Sequence, residues 1–150
     1  MQIEVEVRLE PGCQDLGLPQ CMSAGASGLD LKAAVTEPVT IEPGQWKLIP
    51  TGLSLAIPPG FEGQIRPRSG LALRYGLTCL NTPGTIDADY RGPIGIILIN
   101  LGNQDFTVSR GDRVAQIVFS QVTQVRLVLV SDLTNTQRGS GGFGHTGTSS

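Results

Sequence analysis

Several residue types that build common catalytic or structural centres are scarce in this chain of 150 residues. It has one histidine, His145, which excludes a zinc site built from several histidines of one chain. The three cysteines, Cys13, Cys21 and Cys79, are odd in number and form no C-x-x-C pair, which argues against a disulfide framework or a cysteine-rich zinc site. Reduced thiols are typical of cytosolic proteins, so we expect a cytoplasmic location.

Charge and long apolar runs are also limited. Charged residues make up 16% of the chain and the net charge is −2, so the basic excess of nucleic-acid-binding proteins is missing and we expect no nucleic-acid partner. The longest apolar run, residues 94–101, is too short to cross a bilayer. Residues 1–10 alternate and carry acids, which is not typical of a signal peptide. We therefore expect no membrane partner.

The chain is rich in turn residues, with 20 glycines and 10 prolines, and in short apolar strands. Apolar residues alternate with charged ones over residues 3–9, which predicts a half-buried strand. Further strands are predicted at residues 29–35, 39–41, 47–57, 61–66, 77–80, 94–101, 106–108, 113–119 and 125–130. The segments 77–80 and 94–101 read as the two strands of one long hairpin. This pattern predicts an all-β domain, a sandwich or jelly roll, over residues 1–131.

One short helix and a terminal arm complete this expectation. Residues 69–75 are good helix formers, with Ser69 as the expected cap and Gly76 as the expected end. Residues 132–150 are rich in glycine, serine and threonine, which predicts a flexible C-terminal arm.

Two polar, glycine-containing segments in the first part of the chain are candidates for function. In P-R-S-G-L-A, residues 67–72, a serine at a helix start beside Arg68 indicates either an anion site or a capped helix with a surface arginine. Residues 81–92 gather Asn81, Asp87 and Tyr90 in one polar loop. They form either a functional loop or a simple turn, although Ile86 and Tyr90 are unusual choices for a turn.

Two further segments lie nearer the C-terminus. Gln116 is a polar residue within an apolar strand and needs a partner. Arg138 lies on a glycine-rich arm, which is typical of a lid that clamps phosphate or of a disordered tail. The arm also contains the letters G-x-G-x-x-G at residues 139–144, but no helix follows, so a dinucleotide-binding fold is not expected. The R-G-D tripeptide at residues 110–112 is expected to be a turn between strands.

Together with residues 26–31, these segments resemble, in their order and spacing, the five signature motifs of the dUTP diphosphatase (dUTPase) family. The specific strings are P-R-S-G-L-A, N-x-x-G-x-I-D-x-D-Y-R-G, G-D-R-x-A-Q and R-G-x-G-G-F-G, and the match as a whole extends over nearly the whole chain. The resemblance implies a distorted jelly-roll, or β-clip, subunit with one short helix. It also implies a homotrimer with shared active sites, in which residues 132–150 close over a neighbouring subunit's site. His145 stands where many members have serine.

The resemblance also implies a reaction and its residues. The enzyme would hydrolyse dUTP to dUMP and pyrophosphate, with Asp87 activating the water that attacks the α-phosphate. Mg²⁺ is the implied cofactor, held by substrate phosphates and water with no direct protein ligand. Asp30 would support the site from its periphery. The implied substrate-binding residues are Arg68, Ser69, Gly70, Asn81, Gly84, Thr85, Ile86, Tyr90, Gly95, Gln116, Arg138, Gly142 and Phe143.

Three of these residues have a more specific implied role. Arg138 would clamp the γ-phosphate, Phe143 would stack on the uracil, and Tyr90 would lie under the deoxyribose. Hydrolysis would keep uracil out of DNA by lowering dUTP, and it would supply dUMP for dTMP synthesis.

Two alternatives differ from this function. A dCTP deaminase, which resembles dUTPase in fold, would carry an acidic catalytic residue on the strand after the hairpin, where this chain has Ile97. A non-catalytic jelly roll would be expected to lack Asp87, Tyr90 or Arg138, all of which are present. Ammonia release from dCTP would support the first alternative.

Overall fold

The computed structural model describes residues 2–142. Within them it forms ten β-strands, one α-helix, α1 (Ser69–Tyr75), and a 3-10 helix, Gln14–Leu16. The strands are β1 (Glu6–Leu9), β2 (Leu29–Lys32), β3 (Val39–Ile41), β4 (Trp46–Ala56), β5 (Phe61–Arg66), β6 (Leu77–Cys79), β7 (Gly84–Ile86), β8 (Pro93–Asn100), β9 (Phe106–Val108) and β10 (Arg113–Gln121). The prediction of an all-β fold with one short helix is confirmed. Among the described residues, no helix combines the length and the apolar character needed to cross a membrane.

The strands form three antiparallel sheets. Their orders are β1-β4-β8-β6, β2-β10-β5-β7 and β3-β9. The predicted hairpin is confirmed, because β6 pairs with β8 and places Leu77 opposite Asn100. The segment between these two strands contains β7, which pairs with β5 in the other large sheet and places Ile86 opposite Gly63. The polar segment after β6 therefore connects the two large sheets.

One hydrophobic core joins all three sheets. Alternation along β8 directs Ile94, Ile96 and Leu98 inward, where each is almost fully buried. They belong to the same cluster as Leu31 of β2 and Ile65 of β5. Burying one such side chain contributes about 1.5–3 kcal/mol. The core therefore fixes the positions of the strands that carry the polar segments.

Asn100 is the one buried polar residue of β8, and its amide is fully used. Its Nδ2 donates to the carbonyl oxygens of Ile41 and Gln104, each at 2.8 Å. Its Oδ1 accepts a hydrogen bond from the Gly102 backbone N–H at 2.9 Å. These bonds offset the cost of burying the amide and tie the end of β8 to β3.

The ends of α1 confirm one expectation and correct another. Gly76 ends the helix in the left-handed conformation (φ 68°) and donates its N–H to the Ala72 carbonyl, as predicted. The prediction of Ser69 as the cap was wrong. Arg68 is the N-cap residue, with extended backbone and no side-chain cap, and its carbonyl accepts the first intrahelical bonds, from the Leu71 and Ala72 N–H groups. Ser69 is already helical, so its hydroxyl does not cap the helix.

The predicted strand at residues 125–130 is also wrong. Within the described residues no strand follows Gln121. Side chains of this segment are exposed, and Leu127 and Leu129 are 93% and 99% accessible. Residues with high strand propensity form a strand only beside a partner strand, and no strand within residues 2–142 pairs with this segment.

Candidate active site

A cleft that we call the arginine cleft gathers five of the predicted site residues. It has a volume of about 400 Å³ and lies where β2, β10 and β5 meet the start of α1. The predicted residues that line it are Asp30, Arg68, Ser69, Gly70 and Gln116. Arg66 and Met22, which the sequence analysis did not single out, line it as well.

The sheet arranges part of this lining as a row. Asp30 of β2 lies opposite Gln116 of β10, and Gln116 lies opposite Arg66 of β5. Residues directly opposite each other on antiparallel strands direct their side chains to the same face. The three polar side chains therefore lie side by side along the cleft.

Ion pairs hold the arginine cleft together. The Asp30 carboxylate, 14% exposed, is 3.3 Å from Arg68 Nε and 3.3 Å from Arg113 Nη1. Arg68 Nη1 also donates to the Arg113 carbonyl at 2.9 Å. Arg66 and Arg68 line the cleft with Asp30, and Arg113 binds Asp30 beside it, so three arginines and one carboxylate give this region a formal excess of two positive charges. Such a surface suits a ligand with several negative charges.

Gln116 is fixed by its own contacts. Its Nε2 donates to the Pro67 carbonyl at 3.0 Å. This bond is the partner that a polar side chain within an apolar strand was expected to need. Gly28 lies against the same amide, and a Cβ at residue 28 would overlap Gln116 Oε1. A side chain at residue 28 would therefore push the Gln116 amide out of its present position.

A second cleft, the carboxylate cleft, contains Asp87. It has a volume of about 630 Å³ and is lined by Pro59, Gly60, Phe61, Glu62, Asp87, Ala88, Asp89, Arg91, Val122 and Gln124. Asp87 follows β7 directly, is exposed, and makes no side-chain hydrogen bond or ion pair with residues 2–142. The Tyr90 backbone N–H donates to the Asp87 carbonyl at 3.1 Å, which forms a turn. Arg91 Nη1 stabilises that turn by donating to the carbonyls of Ala88, at 2.6 Å, and Tyr90, at 2.9 Å.

The remaining predicted residues of this region surround β7. Asn81 lies beside the buried Gly84, where a Cβ would come within 3.2 Å of Asn81 Nδ2. Thr85 is exposed and pairs with Gln64 of β5. Tyr90 donates its hydroxyl proton to the Pro93 carbonyl at 3.0 Å. Gly95 lies on β8, opposite Pro50 of β4.

The two clefts lie at opposite ends of β5. Asp87 continues β7 beyond the pair formed by Ile86 and Gly63, so it lies level with Glu62. Arg66, at the other end of β5, borders the arginine cleft. At a rise of about 3.3 Å per residue, Glu62 and Arg66 are separated by about 13 Å. A single chain therefore does not bring Asp87 together with Arg68 and Gln116.

The arm residues line neither cleft within the described part of the chain. Arg138 Nε donates to the Gly141 carbonyl at 2.8 Å, and Gly142 is also described. Phe143 and His145 lie outside the described residues. The roles expected for Arg138, Gly142 and Phe143 stay predictions.

The R-G-D tripeptide is engaged within the fold. Arg110 binds both carboxylate oxygens of Asp15, at 2.7 and 3.0 Å, and donates to the Gly12 carbonyl at 2.7 Å. Hydrogen bonding to this guanidinium lowers the pKa of Asp15. Asp112 accepts the Ser109 N–H at 2.8 Å, and Gly111 has a φ of 85°. The expectation of a turn is confirmed.

Other titratable groups have structural explanations. Burial raises the pKa of the Cys79 thiol to about 11, so this cysteine is protonated and unreactive at neutral pH. Hydrogen bonds from Ser54 and Arg8 lower the pKa of Glu10. None of the three cysteines forms a disulfide.

Arg66 is the charged residue of the cleft that the sequence analysis missed. The sequence nevertheless contains a signal for Arg66. Arg66 precedes Pro67, and a residue before proline is restricted to extended backbone. Arg66 and Arg68 are two positions apart in this extended segment, a spacing that directs side chains to one side.

Comparison with known proteins settles the family. The family model described as dUTPase matches residues 15–147. The chain belongs to the dUTPase family. Relatives named deoxyuridine 5'-triphosphate nucleotidohydrolase include one from Caldanaerobacter subterraneus, 53% identical over 98% of this chain and 99% of its own length. Another, from Rhizobium meliloti, is 55% identical over 95% of this chain and 89% of its own length. The resemblance drawn from the motifs is confirmed.

A solved dUTPase structure supports the fold. A point variant of the dUTPase of phage 80alpha superposes with a TM-score of 0.85 at 25% identity, covering 97% of this chain and 99% of that one. The jelly-roll-like, all-β architecture expected of a dUTPase is therefore confirmed.

Proposed function

We propose that this dUTPase hydrolyses dUTP to dUMP and pyrophosphate, which lowers dUTP, keeps uracil out of DNA and supplies dUMP for dTMP synthesis. The observation that carries the proposal is the arginine cleft, where Arg66, Arg68 and the adjoining Arg113 together with Asp30 give a formal excess of two positive charges. A triphosphate is the part of dUTP that such a cleft suits. Relatives at 53–55% identity are named for this reaction. We expect it to take place in the cytoplasm.

The active site is shared between copies of the chain. Water activated by Asp87 must attack a nucleotide whose phosphates lie in the arginine cleft, yet the two clefts of one chain lie at opposite ends of β5. The carboxylate cleft of one copy and the arginine cleft of another would form one site, as expected for a homotrimer.

Uncovered apolar surfaces support this assembly. Residues 125–130 expose aliphatic side chains to water. A groove of about 850 Å³ on the same subunit is lined by apolar side chains such as Val5, Leu29 and Phe119. Contact between copies would remove such surfaces from water, which is the main driving force of association.

In the reaction, Asp87 orients the water and accepts its proton. The water oxygen bonds to the α-phosphorus, the bond from that phosphorus to the bridging oxygen breaks, and pyrophosphate leaves with the electron pair. A carboxylate is a weak base, so most of the acceleration comes from positioning and from stabilising charge. Arg68, Ser69, Gly70 and Gln116 supply that stabilisation at the phosphates.

Mg²⁺ is the proposed cofactor, carried by the substrate. Within residues 2–142 no three side chains of histidine, cysteine, aspartate or glutamate are grouped so as to hold a metal, and Asp30 is already bound by two arginines. The residues present therefore fit an ion that is held by phosphate oxygens and water and not by side chains, which is how Mg²⁺ commonly binds. When bound it neutralises phosphate charge. The dUTPase of phage phi11 holds a structural Mg(II) ion.

The segment around β7 would select the base and the sugar. Asn81 with the backbone near Gly84, Thr85, Ile86 and Gly95 would hydrogen-bond the uracil, and Tyr90 would lie under the deoxyribose. A site built to pair with uracil leaves polar groups unpaired with cytosine, and that is costly. Arg138, Gly142 and Phe143 on the arm would close over a neighbouring copy's site.

Substrate profiling tests the reaction. The protein is incubated with Mg²⁺ and each deoxynucleoside triphosphate, and pyrophosphate and ammonia are measured. We expect pyrophosphate from dUTP alone and no ammonia from dCTP. Pyrophosphate from none of them would overturn the proposal, and ammonia from dCTP would support a deaminase instead.

Subunit mixing tests the shared site. Asp87→Asn and Arg68→Gln chains, each weakly active alone, are denatured together in equal amounts and refolded. If each site takes Asp87 from one copy and Arg68 from another, about one quarter of the sites regain both, and about a quarter of the wild-type activity returns. Recovery no greater than the sum of the two separate variants would contradict shared sites.

A further inference from the structure

Arg66 lies in the arginine cleft but belongs to none of the signature motifs. It is the last residue of β5, it is exposed, and it borders the cleft together with Asp30 and Gln116. Its position at the end of the row formed with those two residues is fixed by strand pairing. The side chain therefore reaches the same space as the motif residues.

The guanidinium of Arg66 is held in place by a line of side chains on β5. Its Nη2 and Nε donate to Gln64 Oε1 at 2.5 and 3.2 Å. Gln64 Nε2 in turn donates to Glu62 Oε1 at 2.6 Å. Alternate residues of a strand share a face, so these three side chains run along one side of β5. Gln64 acts as a positioning residue for Arg66.

The charge of Arg66 is available to a ligand. Arg68 and Arg113 share the Asp30 carboxylate, whereas Arg66 makes no ion pair with any carboxylate in residues 2–142. Its acceptor is a neutral amide, which leaves the remaining N–H groups of the planar guanidinium for another partner. A phosphate oxygen suits such a group.

We propose that Arg66 is a further substrate-binding residue, which contacts the two outer phosphates of the nucleotide in the arginine cleft. This inference rests on the proposed function. The α-phosphate must lie near the water activated by Asp87, so the arginine cleft of the other copy receives the phosphates beyond it. Arg66 adds a cation to the row there, beside Gln116.

The test compares the binding of two ligands by calorimetry. They are dUpNHpp, a triphosphate analogue found bound to a solved phage 80alpha dUTPase, and dUMP. In Arg66→Gln we expect dUpNHpp affinity to fall about tenfold and dUMP affinity to change less than twofold. Arg74→Gln removes the same charge from the exposed face of α1, outside the cleft lining, and should bind both ligands as the wild type does.

Three further measurements separate binding from a structural effect. Higher ionic strength should narrow the difference in dUpNHpp affinity between the wild type and Arg66→Gln, because the lost interaction is electrostatic. Arg66→Lys should retain part of the affinity, since it keeps the charge but not the planar group. Gln64→Leu should weaken dUpNHpp binding less than Arg66→Gln does, because the charge remains but its orientation is lost.

Several outcomes would overturn the inference. One is that Arg66→Gln binds dUpNHpp as tightly as the wild type does. Another is that its loss of dUpNHpp affinity is no larger than the loss in Arg74→Gln. The third is that Arg66→Gln loses affinity for dUMP and for dUpNHpp equally. If Arg66→Gln does not fold, the same comparison is made with Arg66→Lys, and wild-type affinity there at every ionic strength overturns it. If the wild-type protein itself neither binds dUpNHpp nor hydrolyses dUTP, the proposed function fails first.

Discussion

The arginine cleft and the carboxylate cleft differ in how far a single chain completes them. In the arginine cleft, Asp30 is bound by two arginines and Gln116 is bound to the Pro67 carbonyl. In the carboxylate cleft, Asp87 is exposed and has no side-chain partner among residues 2–142. One region is arranged before substrate arrives, and the other presents a carboxylate that is open to solvent.

The difference follows the proposed tasks of the two regions. Groups that stabilise phosphate charge are most effective when they are fixed beforehand, because they then need no reorganisation during the reaction. A group that takes a proton from water must be reachable by that water. The comparison predicts that changes at Asp87 affect turnover, whereas changes in the arginine cleft affect substrate binding.

Asp87→Asn gives the largest expected effect and tests the carboxylate side of the comparison. We expect kcat to fall by about 10²–10⁴-fold, because the amide cannot accept the proton, while dUpNHpp affinity stays close to wild type. Steady-state hydrolysis and calorimetry measure the two quantities. Turnover at the wild-type rate would remove Asp87 from its assigned role.

Deleting residues 137–150 tests whether the arm completes the joined site. We expect hydrolysis to fall by about 10²-fold, since the proposed γ-phosphate clamp and the lid are lost, with the core and assembly unchanged. Activity assays and size measurement by light scattering check this. Full activity in the truncated protein would show that the arm is not a lid.

Asp30→Asn tests the part of the comparison that concerns the arginine cleft. Loss of the carboxylate removes the partner that orients Arg68 and Arg113, and we expect KM to rise about tenfold with a smaller change in kcat. Asp105→Asn, a change at an exposed residue outside both clefts, is the matched control. If kcat falls while KM is unchanged, the division between the two regions is wrong.

Gly28→Ala gives the smallest expected effect and sharpens the comparison. The new methyl group would displace the Gln116 amide, and we expect KM to rise about three- to fivefold without loss of the fold. Gly25→Ala in the same loop meets no atom within 4 Å and should behave as wild type. Equal KM values for the two variants would show that the position of the Gln116 amide does not matter for binding.

Local patterns predicted most of the fold. Short apolar runs bounded by turn residues identified β8, β10 and their neighbours, and glycine marked the end of α1, because burial and backbone freedom act over a few residues. The failed predictions depended on distant contacts. Residues 125–130 have strand propensity but pair with no strand in the described part of the chain, and β7 was missed because its pairing with β5 depends on the tertiary fold.

Most residues of the candidate site were predictable from the sequence, but their arrangement in space was not. Motif spacing identified Asp30, Arg68 and Gln116, which the sheets do bring together. It did not indicate that Asp87 lies at the other end of β5, because the distance between motifs depends on the topology of the sheets. Arg66 escaped notice because it lies just before a motif, and only strand pairing shows that it shares the row of Gln116.

In the proposed assembly, the exposed aliphatic run after β10 would make the stability of this enzyme depend on protein concentration. Leu127, Leu129 and Leu133 are exposed to water in a single chain, and the proposed assembly would cover them. The melting temperature of the enzyme should therefore rise with protein concentration, as for any fold whose stability is linked to association. Before it assembles, a newly made chain would also bind chaperones and other unfolded chains through these exposed apolar side chains.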